Sequence, residues 1–183
     1  MILTSIALLP IERIFLMENK AVYPGFFDPI TNGHVDIILR GQRIFDKIIV
    51  AVLKNPKKRP LFSTKERVAM IQKIFAPQSD IEVKAFDGLL VEFAKRNKAN
   101  IVIRGLRAVS DFEYEFQMSL MNRKLNSEIE TLYMMPSFRY SFLSSGLVKE
   151  VFGLGGSVKD LVPEIVEKNL REKLKKGKYF YTN

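Results

Sequence analysis

The chain has 183 residues, of which 47% are hydrophobic and 27% are charged, a composition typical of one globular domain with a sizeable core. The lack of cysteine excludes disulfides, thiolate metal sites and cysteine nucleophiles, and a single histidine argues against a zinc site of several histidines. Lysine and arginine number 29 against 20 aspartates and glutamates, and the net charge of +9 favours anionic partners such as nucleotides, phosphorylated metabolites or nucleic acid.

The first sixteen residues are apolar, but they lack the basic residues that precede a secretory core, and Pro10, Glu12 and Arg13 interrupt them. The sequence therefore predicts a cytoplasmic protein without a membrane segment. Met17 stands just before the first convincing strand. One hypothesis is that translation begins at Met17, with residues 1–16 as a non-native extension and residues 17–183 as the functional domain.

Apolar β-branched runs alternate with segments of helical periodicity from Ala21 onward. The predicted strands span residues 20–24, 47–53, 81–86, 100–104 and 130–135, and the predicted helices span residues 34–45, 64–75, 89–97 and 111–125. Two capping-box spacings, Ser63 with Glu66 and Ser110 with Glu113, mark expected helix starts. Strands as apolar as 48–53 are typical of parallel sheets covered on both faces. The predicted fold class is α/β: a single-domain, doubly wound parallel sheet of five strands with C-terminal helices.

In such sheets the ligand lies outside the carboxyl ends of the strands, which selects the loops at residues 25–33, 54–62, 87–88, 105–110 and 136–145. His34, at the end of the first loop, is expected in the first turn of a helix. Free N–H groups and the helix dipole favour an anion there, and an imidazole can donate to a phosphate oxygen. A capping or packing histidine is the alternative, and the sequence leaves the two about even.

The loops after the second and fourth strands are cationic. The second loop holds four cations within six residues: Lys54, Lys57, Lys58 and Arg59. In the fourth loop, Arg104 and Arg107 flank a glycine that lets the backbone approach a ligand, and guanidinium forks match phosphate oxygens in pairs. Because exposed lysines are mostly solvated, the two arginines are the stronger candidates.

The remaining signals are weaker. Ser144 and Ser145 stand at a second expected helix start, where a serine is either an N-cap or a ligand of a triphosphate. An apolar stripe at helical spacing indicates core or subunit contact rather than chemistry: Phe112, Phe116, Met118, Leu120 and Met121. No pair of acidic residues close in sequence stands out as a general acid and base. The cationic loops and helix starts therefore suit direct phosphoryl or nucleotidyl transfer best, because that chemistry depends on positioning and on neutralising negative charge.

Three ordered motifs resemble those of the bacterial phosphopantetheine adenylyltransferases. They are YPGFFDPITNGH at residues 23–34, RGLRAVSDFEYE at 104–115 and SFLSSGLVKE at 141–150. The similarity covers about residues 20–175. A Gly-His pair alone would indicate only the wider nucleotidyltransferase superfamily with its Rossmann-like fold, and the second motif narrows the resemblance.

The resemblance implies transfer of the adenylyl group of ATP, with Mg²⁺, to 4′-phosphopantetheine by in-line displacement. The products would be dephospho-CoA and pyrophosphate, in the penultimate step of coenzyme A synthesis. It also implies a homohexamer, feedback binding of CoA, and no nucleic-acid or membrane partner.

The resemblance also implies roles for particular residues and assigns no side chain as a metal ligand. His34 would stabilise the transition state, and Lys58 and Arg107 would share the catalytic site. Phosphopantetheine would contact Phe26, Lys58, Leu90 and Arg104. ATP would contact Phe26, Phe27, His34, Gly105, Leu106, Arg107, Glu115, Tyr140, Ser141, Phe142, Leu143, Ser144, Ser145 and Gly146.

The chain departs from the family at two positions, with Phe26 in place of the usual Thr or Ser and Gly146 in place of a third serine. Either the Phe26 ring occupies the approach to the reacting phosphate or it turns aside. A lost charge-assisted hydrogen bond would slow the reaction about ten- to a hundredfold if it acts in the transition state. The alternative function is therefore a nucleotide- or CoA-binding homologue with reduced or lost turnover. A nucleic-acid-binding module has little support, because the basic residues are scattered and form no such motif.

Overall fold

The structure is a computed structural model, and it describes residues 18–55, 59–107 and 109–175. Five strands form one parallel sheet in the order β3-β2-β1-β4-β5. They are β1 (Lys20–Gly25), β2 (Lys47–Leu53), β3 (Ile81–Phe86), β4 (Ile101–Gly105) and β5 (Glu130–Met134). The predicted fold class is confirmed, and each strand lies within one residue of its predicted bounds.

The helices are α1 (Asn32–Gly41), α2 (Thr64–Ile74), α3 (Leu90–Arg96), α4 (Val109–Leu125), α5 (Ser145–Gly153) and α6 (Glu164–Lys175), with a short 3₁₀ helix at Phe138–Tyr140. The capping box at Ser63 is confirmed: Ser63 N–H donates to Glu66 Oε2 at 2.7 Å, and Glu66 N–H donates to Ser63 Oγ at 3.3 Å. Helix α4 begins at Val109 rather than at the predicted residue 111, and the side chain of Ser110, with its predicted capping box, lies outside what the structure describes.

The prediction that the first helix runs from His34 to residue 45 is wrong at both ends. Helix α1 begins at Asn32, two residues earlier, and ends at Gly41. The N–H groups of Ile44 and Phe45 both bond to the carbonyl of Gly41, which turns the chain toward β2. A Cβ at Gly41 would lie 2.6 Å from Ile48 Cδ1, so glycine permits the close approach of α1 to the sheet.

The sheet is covered on both faces, as its apolar strands predicted. Alternate residues of β2 enter different apolar clusters: Ile48 and Val50 join the cluster that includes α1, α2, α5 and α6, while Ile49 and Ala51 join the cluster that includes α3. The order of the strands reverses between the adjacent strands β1 and β4. Their carboxyl ends therefore form the point at which this fold class binds its ligands.

Helix α4 leaves its apolar stripe exposed. The five residues predicted to be in core or subunit contact are 40–55% exposed: Phe112, Phe116, Met118, Leu120 and Met121. A role in the core of this chain is therefore wrong, and subunit contact stays a prediction. Among the described helices, none is long and apolar enough to cross a membrane. The hypothesis of a start at Met17 concerns residues 1–17, which lie outside the described ranges.

Candidate active site

A cavity of about 790 Å³ opens at the carboxyl ends of β1 and β4. Four of the five predicted loops contribute to its wall, and the loop at 87–88 does not. Helices α1 and α5 both begin at this cavity, so the positive ends of their dipoles converge on one space. Such a space suits a polyanion.

Most of the predicted site residues line this cavity. They are Phe26, Phe27, His34, Arg104, Gly105, Arg107, Glu115, Tyr140, Leu143, Ser144, Ser145 and Gly146. Four other predicted residues do not line it: Leu90, Leu106, Ser141 and Phe142. Leu90 packs against the apolar cluster at α3 instead, and Phe142 is 62% exposed. Lys58 lies outside the described residues.

His34 is the third residue of α1, and its ring is both a cap and part of the cavity wall. Its Nδ1 accepts a hydrogen bond from the N–H of Thr31 at 3.0 Å. Burial, followed by the charges of Arg107 and Arg104, lowers the pKa of His34 to about 4. At neutral pH the ring is therefore uncharged, and its proton lies on Nε2 because Nδ1 is the acceptor. The capping and phosphate-donor interpretations are compatible, since they use different nitrogens.

Phe27 holds the His34 ring from one side. Their ring centroids lie 5.1 Å apart in an edge-to-face arrangement, and Tyr23 lies 5.6 Å from Phe27 in the same geometry. A Cβ at Gly25 would lie 2.6 Å from the Phe27 ring, so glycine is needed for this packing. Phe27 also has a φ of 50°, in the left-handed region that bulky residues rarely adopt. The loop is therefore held in one unusual conformation by aromatic packing.

Arg104 and Glu115 form a bidentate ion pair. Arg104 Nε lies 2.6 Å from Glu115 Oε2, and a second hydrogen bond joins Arg104 Nη2 to Oε1. Arg104 Nη1 also donates to the carbonyl of Pro24 at 2.9 Å, which ties the ends of β4 and β1 together. Burial alone would lower the pKa of Arg104, but the hydrogen bond and charge of Glu115 outweigh it and raise the pKa. Arg107, by contrast, is exposed, and its Nη1 lies 3.4 Å from the carbonyl of Leu143.

The two serines at the start of α5 have structural partners. Ser144 Oγ accepts from the N–H of Leu147 at 3.0 Å, which confirms the N-cap interpretation. Ser145 Oγ donates to the carbonyl of Pro29 at 2.7 Å and so joins α5 to the first loop. A Cβ at Gly146 would meet only Ser144 Oγ, at 3.7 Å, among the described atoms. The wall therefore has room for a larger residue at position 146.

Sequence reasoning missed Asp28 and Lys149. Asp28 is 1% exposed and accepts from the N–H groups of Leu61 and Phe62, at 3.0 and 2.8 Å, and from Lys149 Nζ at 3.0 Å. Lys149 lies on α5 and, like Asp28, lines the cavity. Both residues stand inside the recognised motifs. Their pairing had no signal in the sequence, because they are 121 residues apart.

Sequence reasoning also missed Arg67, a buried arginine of α2 that is 1% exposed. Its guanidinium donates to four oxygens: the carbonyls of Phe26, Leu53 and Phe62, and Thr64 Oγ1. The guanidinium carbon lies 4.3 Å from the centroid of the Phe26 ring. The ring has therefore turned aside onto α2. Burial lowers the pKa of Arg67, and the charge of Asp28 opposes this effect.

The carboxylates of the site are already engaged by cations. Asp28 binds Lys149, and Glu115 binds Arg104. Within residues 18–55, 59–107 and 109–175, no three His, Asp or Glu side chains cluster in a way that could hold a metal ion.

A doubly wound sheet with a cationic cavity at two helix N-termini suits a protein that binds nucleotides, and the nucleotidyltransferases are one such class. In agreement, the sequence profile described as Cytidylyltransferase-like matches residues 22–151. A solved structure described as a nicotinate-nucleotide adenylyltransferase from Vibrio parahaemolyticus aligns with a TM-score of 0.62 over 91% of this chain and 98% of that one. At 16% identity, this likeness shows the fold alone.

Curated relatives identify the particular family. The phosphopantetheine adenylyltransferase of Caldanaerobacter subterraneus is 56% identical over 86% of this chain and 98% of its own length. Those of Alkaliphilus metalliredigens and Clostridium tetani are each 55% identical, over 83% and 81% of this chain and 97% and 94% of their own lengths. The chain belongs to the phosphopantetheine adenylyltransferase family.

Proposed function

We propose that the protein transfers the adenylyl group of ATP to 4′-phosphopantetheine and releases dephospho-CoA and pyrophosphate. The observation that carries the proposal is the convergence of the His34 ring, Arg107 and the N-termini of two helices on one cavity. The high identity to relatives that bear this name supports the choice of substrates. The reaction belongs to coenzyme A synthesis, and we place it in the cytoplasm.

The chemistry is a direct displacement at phosphorus. A phosphate oxygen of phosphopantetheine attacks the α-phosphorus of ATP and forms a new P–O bond. The bond from the α-phosphorus to the bridging oxygen of the β-phosphate breaks, and pyrophosphate leaves with the electron pair. No residue forms a covalent bond, so the protein acts by positioning and by stabilising negative charge.

His34 is the proposed transition-state stabiliser. Because Nδ1 accepts from Thr31, Nε2 carries the proton and donates to a non-bridging oxygen of the α-phosphate. The ring needs no change of protonation state to do so. Its low pKa keeps it neutral at physiological pH.

The cationic and N–H groups of the wall would divide between the two substrates. The start of α5, with Ser144 to Gly146, and the exposed fork of Arg107 suit the triphosphate. Arg104, held by Glu115, suits the phosphate of phosphopantetheine, with Lys58 as a second proposed ligand. ATP would enter as its magnesium complex, so the ion arrives as part of the substrate. The engaged state of Asp28 and Glu115 agrees with this arrangement.

The exposed apolar stripe of α4 supports a proposed homo-oligomer. An exposed set of large apolar side chains at helical spacing marks a contact surface. We propose that this stripe is covered by other copies of the chain in a homohexamer, and that CoA acts as a feedback inhibitor at the same cavity. Light scattering measures the oligomer directly. A monomer in solution would contradict the hexamer.

The test of the function is a pyrophosphate-release assay with ATP and Mg²⁺. We expect release with phosphopantetheine and none with nicotinate mononucleotide or glycerol 3-phosphate. The matched control is His34→Gln, which keeps a polar side chain and removes the imidazole. Release no greater than that of this variant, together with ATP binding by calorimetry, would indicate a binding protein without turnover and contradict the proposal.

A further inference from the structure

Arg67 is an ionised side chain buried outside the cavity. The wall of the cavity includes Phe26 and Phe27 but not Arg67 among the described residues. A buried guanidinium is costly unless its donors are bonded, and here it donates to four oxygens that belong to three separate segments. Two of those acceptors lie at the carboxyl ends of neighbouring strands: the carbonyl of Leu53 belongs to the last residue of β2, and that of Phe26 to the residue after β1.

The bond to Phe26 fixes the direction of one peptide unit. The peptide between Phe26 and Phe27 is trans, so its carbonyl and its N–H point in opposite directions. Because Arg67 holds the carbonyl of Phe26, the N–H of Phe27 points away from Arg67. Phe27 is only 2% exposed, and within residues 18–55, 59–107 and 109–175 its N–H has no hydrogen-bond acceptor. Buried N–H groups without an acceptor are rare in proteins.

The backbone conformation at this peptide also needs support. A φ of 50° at a phenylalanine persists only where the surroundings enforce it. On one side, the Phe27 ring is packed against Tyr23 and His34. On the other side, Arg67 bonds to the preceding carbonyl, and the Phe26 ring covers the guanidinium at 4.3 Å. The covering ring excludes water from this hydrogen bond and strengthens it.

We propose that Arg67 is a positioning residue for the transfer reaction: by holding the carbonyl of Phe26, it turns the N–H of Phe27 into the cavity as a donor to the reacting phosphate. The donor lies beside the His34 ring, whose centroid is 5.1 Å from that of Phe27. The inference rests on the proposed function, because it assigns the N–H a role in that reaction. Preorganised backbone donors of this kind act mainly in the transition state.

The first test compares Arg67→Lys and Arg67→Met with Met70→Ala, a truncation of a buried residue on the same helix that leaves Phe26 untouched. Each variant is assayed for pyrophosphate release at a temperature at which circular dichroism shows it folded. We expect both Arg67 variants to lose about ten- to a hundredfold in kcat, with KM for either substrate changed less than about threefold. Met70→Ala should keep kcat within about twofold. An unchanged kcat, or a loss matched by Met70→Ala, would overturn the proposal.

The second test uses the wild-type protein and does not depend on the stability of a variant. The chain has 14 phenylalanines, so protein labelled with ¹⁵N-phenylalanine gives few amide resonances, and Phe27→Leu assigns the one of interest. We expect the Phe27 amide to shift downfield on addition of dephospho-CoA, and to a smaller extent with pyrophosphate. An unmoved resonance while others shift would overturn the role of Arg67. Absence of turnover in the wild-type assay would instead count against the proposed function, so the two failures are distinguishable.

Discussion

Glu115 on α4 binds the guanidinium of Arg104 at the end of β4 through both carboxylate oxygens, with Nε 2.6 Å from Oε2. The family resemblance implies that these two residues contact different substrates, Arg104 phosphopantetheine and Glu115 ATP. The structure makes them one unit, in which the carboxylate sets the orientation of the fork. Arg104 in turn bonds to the carbonyl of Pro24, so this pair also joins two strands at the point where ligands bind.

Glu115→Gln tests this unit. The amide keeps the size of the side chain but removes its charge and one of the two oxygens that accept from Arg104. The guanidinium of Arg104 therefore loses its fixed orientation. We expect KM for phosphopantetheine to rise about tenfold, corresponding to about 1.4 kcal/mol. Steady-state kinetics with each substrate varied in turn would measure it. Glu113→Gln, an exposed neighbour on the same helix, is the control and should behave as wild type.

The pKa of His34 predicts a pH dependence of stability. Since the folded pKa is about 4 and the unfolded value is 6.5, the unfolded state binds a proton in this window that the folded state does not. The stabilisation is complete above pH 6.5 and is lost as pH falls toward 4, by up to roughly 3 kcal/mol. Urea unfolding at pH 7 and pH 5 should show this loss in the wild type. If His34→Gln lost the same stability between pH 7 and pH 5, the loss would come from other titratable groups and not from His34.

Gly146→Ser tests the room at the start of α5. Because a Cβ there meets, among the described residues, only Ser144 Oγ, at 3.7 Å, the substitution should leave the fold unchanged. The new hydroxyl should lower KM for ATP by about two- to tenfold if it reaches the triphosphate. Gly146→Ala adds the same Cβ without the hydroxyl and is the matched control. Equal kinetics for the two variants would show that position 146 does not contact ATP.

Phe26→Thr and Phe26→Val separate the loss of the ring from the gain of a hydroxyl, since the two side chains have nearly the same shape. Both variants uncover the guanidinium of Arg67, so both should lose about 1 kcal/mol of stability, measurable by urea unfolding. Only the threonine supplies a donor to the reacting phosphate. We expect its kcat to exceed that of the valine variant about tenfold or more. Identical values of kcat would mean that the side chain at position 26 does not reach the phosphate.

Lys149→Met removes the cation beside the buried carboxylate of Asp28 and should cost about 3 kcal/mol of stability. Asp28 keeps its two backbone donors, which limits the loss. The double variant Asp28→Asn with Lys149→Met should recover part of it, because no unpaired charge is left. Chemical denaturation of Lys149→Met, of Asp28→Asn and of the double variant gives the coupling. A double variant that loses the sum of both single losses would mean that the pair is not coupled.

The strands were predictable because their signal is local. The run from Ile48 to Leu53 is apolar throughout and rich in β-branched residues, a pattern typical of a strand covered on both faces. The ends of the helices were less predictable. Helix α1 ends at Gly41, where the N–H groups of Ile44 and Phe45 both bond to the glycine carbonyl, and the periodic pattern of apolar residues does not reveal this turn.

Within the site, motifs identified most of the cavity wall but not the groups that hold it. Arg67 follows a capping box and looks like any basic residue on the exposed face of a helix. Its acceptors include Phe26, which is 41 residues away in sequence. A residue that joins segments far apart in sequence forms no motif of fixed spacing with its partners. Only the folded chain therefore shows what such a residue contacts.

The carboxylate of Asp28 joins the cavity wall at α5 to the loop that precedes α2. It accepts from Lys149 on α5, which lines the cavity, and from the N–H groups of Leu61 and Phe62 in that loop. The position of this wall is thus fixed when the chain folds, before any substrate arrives. The entropic cost of ordering it is part of the cost of folding, which the apolar core offsets, so little of that cost is left to weaken substrate binding.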